Sequence, residues 1–146
     1  MPDLSPESQL VLASPPKRLG LTSLFLAAVG ILYAYLAVWC SLKPEETSGL
    51  VGFDLRPGSG QSEFLAVYGG LEMGMACVFL WPLWRPKRVD SSLLACLLIH
   101  GCLVLFRSVG FFLYSDIQRM TYQLAVGEWF IFLASAGLYW RKKPIA

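Results

Sequence analysis

Glu72, Arg107 and Glu128 each stand as a strongly ionisable residue within a run that is otherwise apolar. Inside lipid such a side chain costs roughly 2.5 kcal/mol or more unless it is paired, neutralised or wetted, so each needs a physical reason to be there. The chemistry open to the trio is narrow. Arg107 keeps its charge and can grip one carboxylate through two parallel hydrogen bonds. The second carboxylate is then left without a counter-charge, suited to carrying a proton or receiving a cation. Which glutamate takes which part is open at this stage. So is the structural alternative, an Arg-Glu latch that fixes the register of two helices.

The elements that must position these residues are four apolar windows, about Leu21 to Leu42, Phe64 to Trp84, Leu93 to Tyr114 and Tyr122 to Trp140. Each approaches the ~20 residues a helix needs to cross roughly 30 Å of hydrocarbon. With the second and fourth windows entering from the side that the third leaves, the three ionisable residues lie about 6 to 8 residues in, or roughly 9 to 12 Å deep. They can therefore share one layer.

Residues three, four and seven apart share a helix face. Tyr68 accompanies Glu72 on the second window; His100, Val104 and Phe111 accompany Arg107 on the third; Leu124, Phe132 and Ser135 accompany Glu128 on the fourth. Turned inward, these faces form a polar track of Tyr68, Glu72, His100, Arg107, Glu128 and Ser135, which Tyr33 on the first window can close. A different strip of the second window carries Ala66, Gly70 and Gly74, small residues in the spacing that lets helix backbones come close. It is expected to serve helix packing. One histidine with scattered cysteines and carboxylates makes no metal set, and no cofactor is expected.

Of the 146 residues, 55% are hydrophobic and 15% charged, the composition of an integral membrane domain. Residues 1–16, with four prolines and no periodic apolar face, read as a cytoplasmic tail ahead of a membrane domain over 17–146. The first window is longer than the apolar core of a signal peptide and lacks an early basic cluster, so it is expected to remain in the membrane. Lys17, Arg18, Arg85, Lys87, Arg88, Arg141, Lys142 and Lys143 flank one side of the windows, against Lys43, Arg56 and Arg119 on the other. This asymmetry places both termini in the cytoplasm. The basic clusters act as topology signals and contacts for anionic lipid heads, with no case for nucleic-acid binding.

Cys40, Cys77, Cys96 and Cys102 form no Cys-x-x-Cys motif and read as packed thiols. Trp39, Trp81, Trp84, Tyr114, Tyr122, Tyr139 and Trp140 sit near window ends, as headgroup anchors do. One long connection, residues 43–63, is either a plain linker or a segment that folds back through Leu50 to Leu55 over the mouth of the helices. Asp90, Ser91 and Ser92 supply cap chemistry for the third window.

The stretch from Glu63 to Gly74, with Tyr68-Gly69-Gly70 at its centre, is followed by Arg107-Ser108-Val109-Gly110 and then Glu128. This pattern resembles a small bacterial four-helix membrane family catalogued as domain of unknown function 4345, over roughly Leu21 to Trp140. A looser similarity to DoxX-like membrane proteins adds architecture only. The family's pattern has an arginine where this chain has Leu65, so no role of that charge carries over. The resemblance implies the fold and the site positions and supplies no activity.

The sequence reading is thus an all-α, integral membrane four-helix bundle in the inner membrane of a bacterial cell. Its leading function is the binding of a small polar or lipid-derived ligand, or a proton, at the Glu-Arg-Glu layer. An assembly subunit that binds another membrane protein, or a second copy of itself, is the alternative. An enzyme acting on lipid headgroups is third, because the chain has no nucleophile-base pair and no phosphate-cradling loop.

Overall fold

Apolar runs without internal breakers fold here into long helices, and the computed structural model describes them over residues 20–141. The tail 1–16 and the topology residues Lys17, Arg18, Lys142 and Lys143 lie outside the described residues. Helix α1 is Leu21–Leu42, α2 the short Pro44–Leu50, α3 Ser59–Trp84, α4 Val89–Leu113 and α5 Arg119–Trp140. No strand occurs among the described residues. Three helices are long and apolar enough to cross a membrane: α1, α3, and α4 together with the 3-10 turn Pro86–Arg88 that leads into it. The fourth window also forms a helix, of 22 residues. It stands apart from those three because Arg119, Gln123 and Glu128 lower its mean hydropathy.

Large apolar side chains face outward along these helices, with Phe112 92% and Phe106 74% exposed. Water would penalise such a surface, whereas lipid tails accept it. Trp81, Trp84, Tyr114, Tyr122 and Trp140 are exposed near helix ends.

Helix α1 runs antiparallel along α3, and α5 antiparallel along α4, while α4 meets α3 and α1 over shorter stretches. Glycine sets how closely α1 approaches α3. A Cβ on Gly30 would come within 2.7 Å of Leu80 Cγ and 3.2 Å of the Ala76 carbonyl oxygen, and one on Gly69 within 2.5 Å of Ser41 Oγ. The strip expected to do this, Ala66, Gly70 and Gly74, is exposed instead, and a Cβ on Gly70 or Gly74 would meet nothing within 4 Å. The turn of α3 that carries Ala66 and Gly70, Leu65–Leu71, is π-helical, and its wider spacing changes which residues face the neighbour. A core of Leu26, Val29, Tyr33, Ala76, Phe79, Leu93 and Cys96 fills the space between α1, α3 and α4. Cys40 and Cys96 are buried, while Cys77 and Cys102 face outward.

Two further local expectations change. The start of α4 carries no side-chain cap. Pro82 lacks the N–H that would bond the Val78 carbonyl inside α3, and Ser92 Oγ donates to that freed oxygen at 2.8 Å. Ser92 thus ties α4 to α3 rather than capping its own helix. The 43–63 connection is not a plain linker, since α2 occupies its first third and the first turns of α3 its last. What remains is 51–58, which turns through Gly52 at φ +83° and Gly58 at φ +79°, both in the left-handed region that glycine adopts without steric cost. Phe53 folds back from it, edge-on to Phe64 and Tyr68 with ring centroids 6.5 and 5.9 Å away.

Candidate functional site

Helices α4 and α5 are held in register by apolar contacts on either side of their charged residues. Phe111 stacks on Tyr122 at 5.0 Å, and Gly101 faces the Phe132 ring. Between these contacts Arg107 donates from Nε to Glu128 Oε2 and from Nη2 to Glu128 Oε1, a bidentate pair with N–O distances of 2.5 Å. The two side chains are only 25% and 13% exposed. This geometry satisfies both carboxylate oxygens and balances both charges. The arginine's partner is therefore Glu128.

Glu72 is the other carboxylate, at the point where the π-helical turn of α3 returns to α-helix. Its Oε2 is buried and has no hydrogen-bond partner among the described residues. Leaving a buried polar atom unbonded costs about 1–3 kcal/mol, more when it is charged, so native folds rarely leave one without a reason.

Glu72, Arg107 and Glu128 line one cavity of about 370 Å³ together with Tyr33 and Tyr68. Its walls are otherwise mostly apolar, with Leu36 from α1, Leu71 and Met75 from α3, Leu103 from α4, and Leu124 and Ile131 from α5. It occupies the space between the α1-α3 pair and the α4-α5 pair. Leu32, Val67 and Leu71 line it while being 44–59% exposed, so its rim reaches the outer, apolar surface of the helices. A second cavity of about 70 Å³ shares Leu36, Tyr68, Glu72 and Leu124 and is roofed by Thr47, Leu50 and Val51 of α2 and the turn after it. Glu72 thus borders both chambers. Arg107 also lines a groove of about 600 Å³ that runs past Gly110, Asp116 and Gln118 at the α2 end.

Tyr68 is fixed by stacking on Phe64, with centroids 4.5 Å apart. His100 does not line the cavity. It is completely buried behind Tyr33, whose hydroxyl lies 3.0 Å from His100 Nε2, while His100 Nδ1 lies 2.8 Å from the Cys96 carbonyl oxygen. A carbonyl can only accept, so in the neutral ring Nδ1 carries the proton, Nε2 offers its lone pair, and the Tyr33 hydroxyl donates to it. Ser135 is also set apart, donating to the Phe132 carbonyl of its own helix at 2.8 Å.

The layer read from the sequence thus gathers Glu72, Arg107, Glu128, Tyr68 and Tyr33, and leaves out His100 and Ser135. Gln123 also lines the cavity and was not singled out. A lone amide five residues before Glu128, in a run of mostly apolar residues, was its only signal. Among the described residues no group of three His, Cys, Asp or Glu side chains is placed to hold a metal ion. Comparison with family models, with curated proteins and with solved structures finds no match to this chain.

Proposed function

We propose that this chain is a multi-pass membrane protein that binds a small polar or lipid-derived ligand, or a proton, in the cavity at Glu72, without catalysing a reaction. In this reading α1, α3, α4 and α5 form a four-helix bundle that crosses the inner membrane of a bacterial cell, with both termini on the cytoplasmic side. Support for α5 as a span comes from its outward face, where Val126 and Phe130 are 71% and 69% exposed. The positions of Arg85, Lys87, Arg88 and Arg141 at one end of the helices support the orientation. The resemblance to domain of unknown function 4345 agrees with this architecture and adds no activity.

The observation that carries the reading is the unpartnered Glu72 Oε2 beside an open cavity whose other two charges already neutralise each other. A latch needs one pair, and the third charge is surplus to it. Leu124→Phe tests the reading, because Leu124 borders both chambers and a larger side chain there fills them. Native mass spectrometry of the protein released from mild detergent is expected to show a bound small molecule or lipid on the wild type that is missing from folded Leu124→Phe. Identical spectra for the two would reject the cavity as a binding site.

A second reading, an assembly subunit, is favoured by the exposure of Gly70 and Gly74. Under it, Gly70→Leu abolishes co-purification of a membrane partner or of a second copy and leaves the cavity ligand in place.

A further inference from the structure

The charges that line the cavity do not balance, with two carboxylates to one guanidinium, and this narrows what it can hold. Arg107 directs Nε and Nη2 at Glu128, which commits two of its five N–H donors and cancels its charge where it stands. The Tyr33 hydroxyl proton is committed to His100 Nε2, because His100 Nδ1 must donate to the Cys96 carbonyl. Tyr33 Oη can then offer only lone pairs to the cavity. Glu72 as a carboxylate is likewise an acceptor, with Oε2 wholly unused. Tyr68 and the Gln123 amide, also in the lining, can each donate or accept.

With Arg107 and Glu128 cancelling, the formal charge left at the site is the single negative charge of Glu72. The complement to an unpaired carboxylate with a neighbouring hydroxyl oxygen is a cation with several N–H donors. A primary ammonium has three and no acceptor. About 370 Å³ holds roughly a dozen waters at about 30 Å³ each, enough for an amine and a short stem and too small for a whole diacyl lipid. Leu36, Leu71, Met75, Leu124 and Ile131 would cover the stem, and the rim at Leu32 and Val67 leaves room for a longer tail to reach the lipid-facing surface.

We infer that the cavity receives a primary ammonium group on an apolar stem, held by the Glu72 carboxylate and the hydroxyl oxygen of Tyr33. This rests on the ligand-binding reading above and names its ligand class. A free alkylamine and an aminophospholipid headgroup share this chemistry.

The test uses the full chain in nanodiscs of phosphatidylcholine, which lacks a primary amine, and titrates n-hexylamine, n-hexanol, hexanoate and lysophosphatidylethanolamine at pH 7. Hexylammonium is expected to bind about tenfold or more tighter than hexanol, the margin of a charge-assisted hydrogen bond. Glu72→Gln should erase that preference while hexanol still binds, and Tyr33→Phe should narrow it. Leu124→Phe should weaken both probes. Tighter binding of lysophosphatidylethanolamine than of hexylammonium assigns the amine to a lipid headgroup, and the reverse order assigns it to a free amine; either supports the inference.

Equal binding of hexylammonium and hexanol, still sensitive to Leu124→Phe, would overturn the ammonium assignment and leave the cavity as a binding site. A preference for hexanoate would overturn it in favour of an anion at Arg107. If no probe bound in a way that Leu124→Phe alters, both readings would fall.

Discussion

Removing Arg107 and removing Glu72 should move stability in opposite directions. Breaking a buried ion pair from one side costs about 3–5 kcal/mol, because the remaining charge stays buried and uncompensated. Arg107 is 25% exposed, so screening trims the expected loss for Arg107→Gln to about 2–4 kcal/mol. At roughly 2–4 °C per kcal/mol for a chain of this size, the unfolding midpoint should fall by about 4–16 °C. Glu72→Met removes an unbonded buried oxygen and keeps a side chain of similar length. It should gain about 1–2 kcal/mol and raise the midpoint by about 2–8 °C.

The double variant Arg107→Gln/Glu128→Gln should recover much of the loss, since no charge is then stranded. The assay is thermal unfolding followed by intrinsic tryptophan fluorescence, with all variants in one detergent at one concentration. Stabilisation by removal of Glu72 would mark it as a residue kept for function at a cost in stability. A fall in the midpoint for Glu72→Met as large as that for Arg107→Gln would refute the reasoning and make all three charges one structural latch.

Two further outcomes follow from packing. Gly69→Leu or Gly30→Leu should destabilise by about 1–3 kcal/mol, because each Cβ would collide with the facing helix; Gly70→Leu, with open space around it, should change the midpoint by no more than about 0.5 kcal/mol equivalent. Ser92→Ala should cost about 1 kcal/mol by leaving the Val78 carbonyl without its donor, and less in a Pro82→Ala background, where the backbone N–H of residue 82 can take over; a thermal double-mutant cycle on the four proteins reads the difference.

The helices were legible in the chain because length and hydropathy are local properties. The first window coincides with α1, Leu21–Leu42, and the other three are each found inside or within a residue of a helix. The common layer of Glu72, Arg107 and Glu128 was legible for the same reason, since depth along a helix is arithmetic on a fixed rise. The loss of Pro82's N–H was visible as well, but not that Ser92, on another helix, would donate to the freed carbonyl.

What only the tertiary structure decided is which way each helix turns. In a water-soluble bundle the polar face marks the outside, but in lipid the outward and inward faces are both apolar, so the periodic signal that separates them is weak. The spacing therefore put His100 and Ser135 on the cavity track, where the structure leaves them out, and Gly70 in a helix contact, where the structure uses Gly69 and Gly30. The π-helical turn at Leu65–Leu71 compounds this by changing the angular spacing just before Glu72. The choice of Glu128 over Glu72 as the partner of Arg107 belongs to the same class. The three charges and their depth lie in the chain, whereas their pairing depends on the rotation of three helices about their axes, which packing sets.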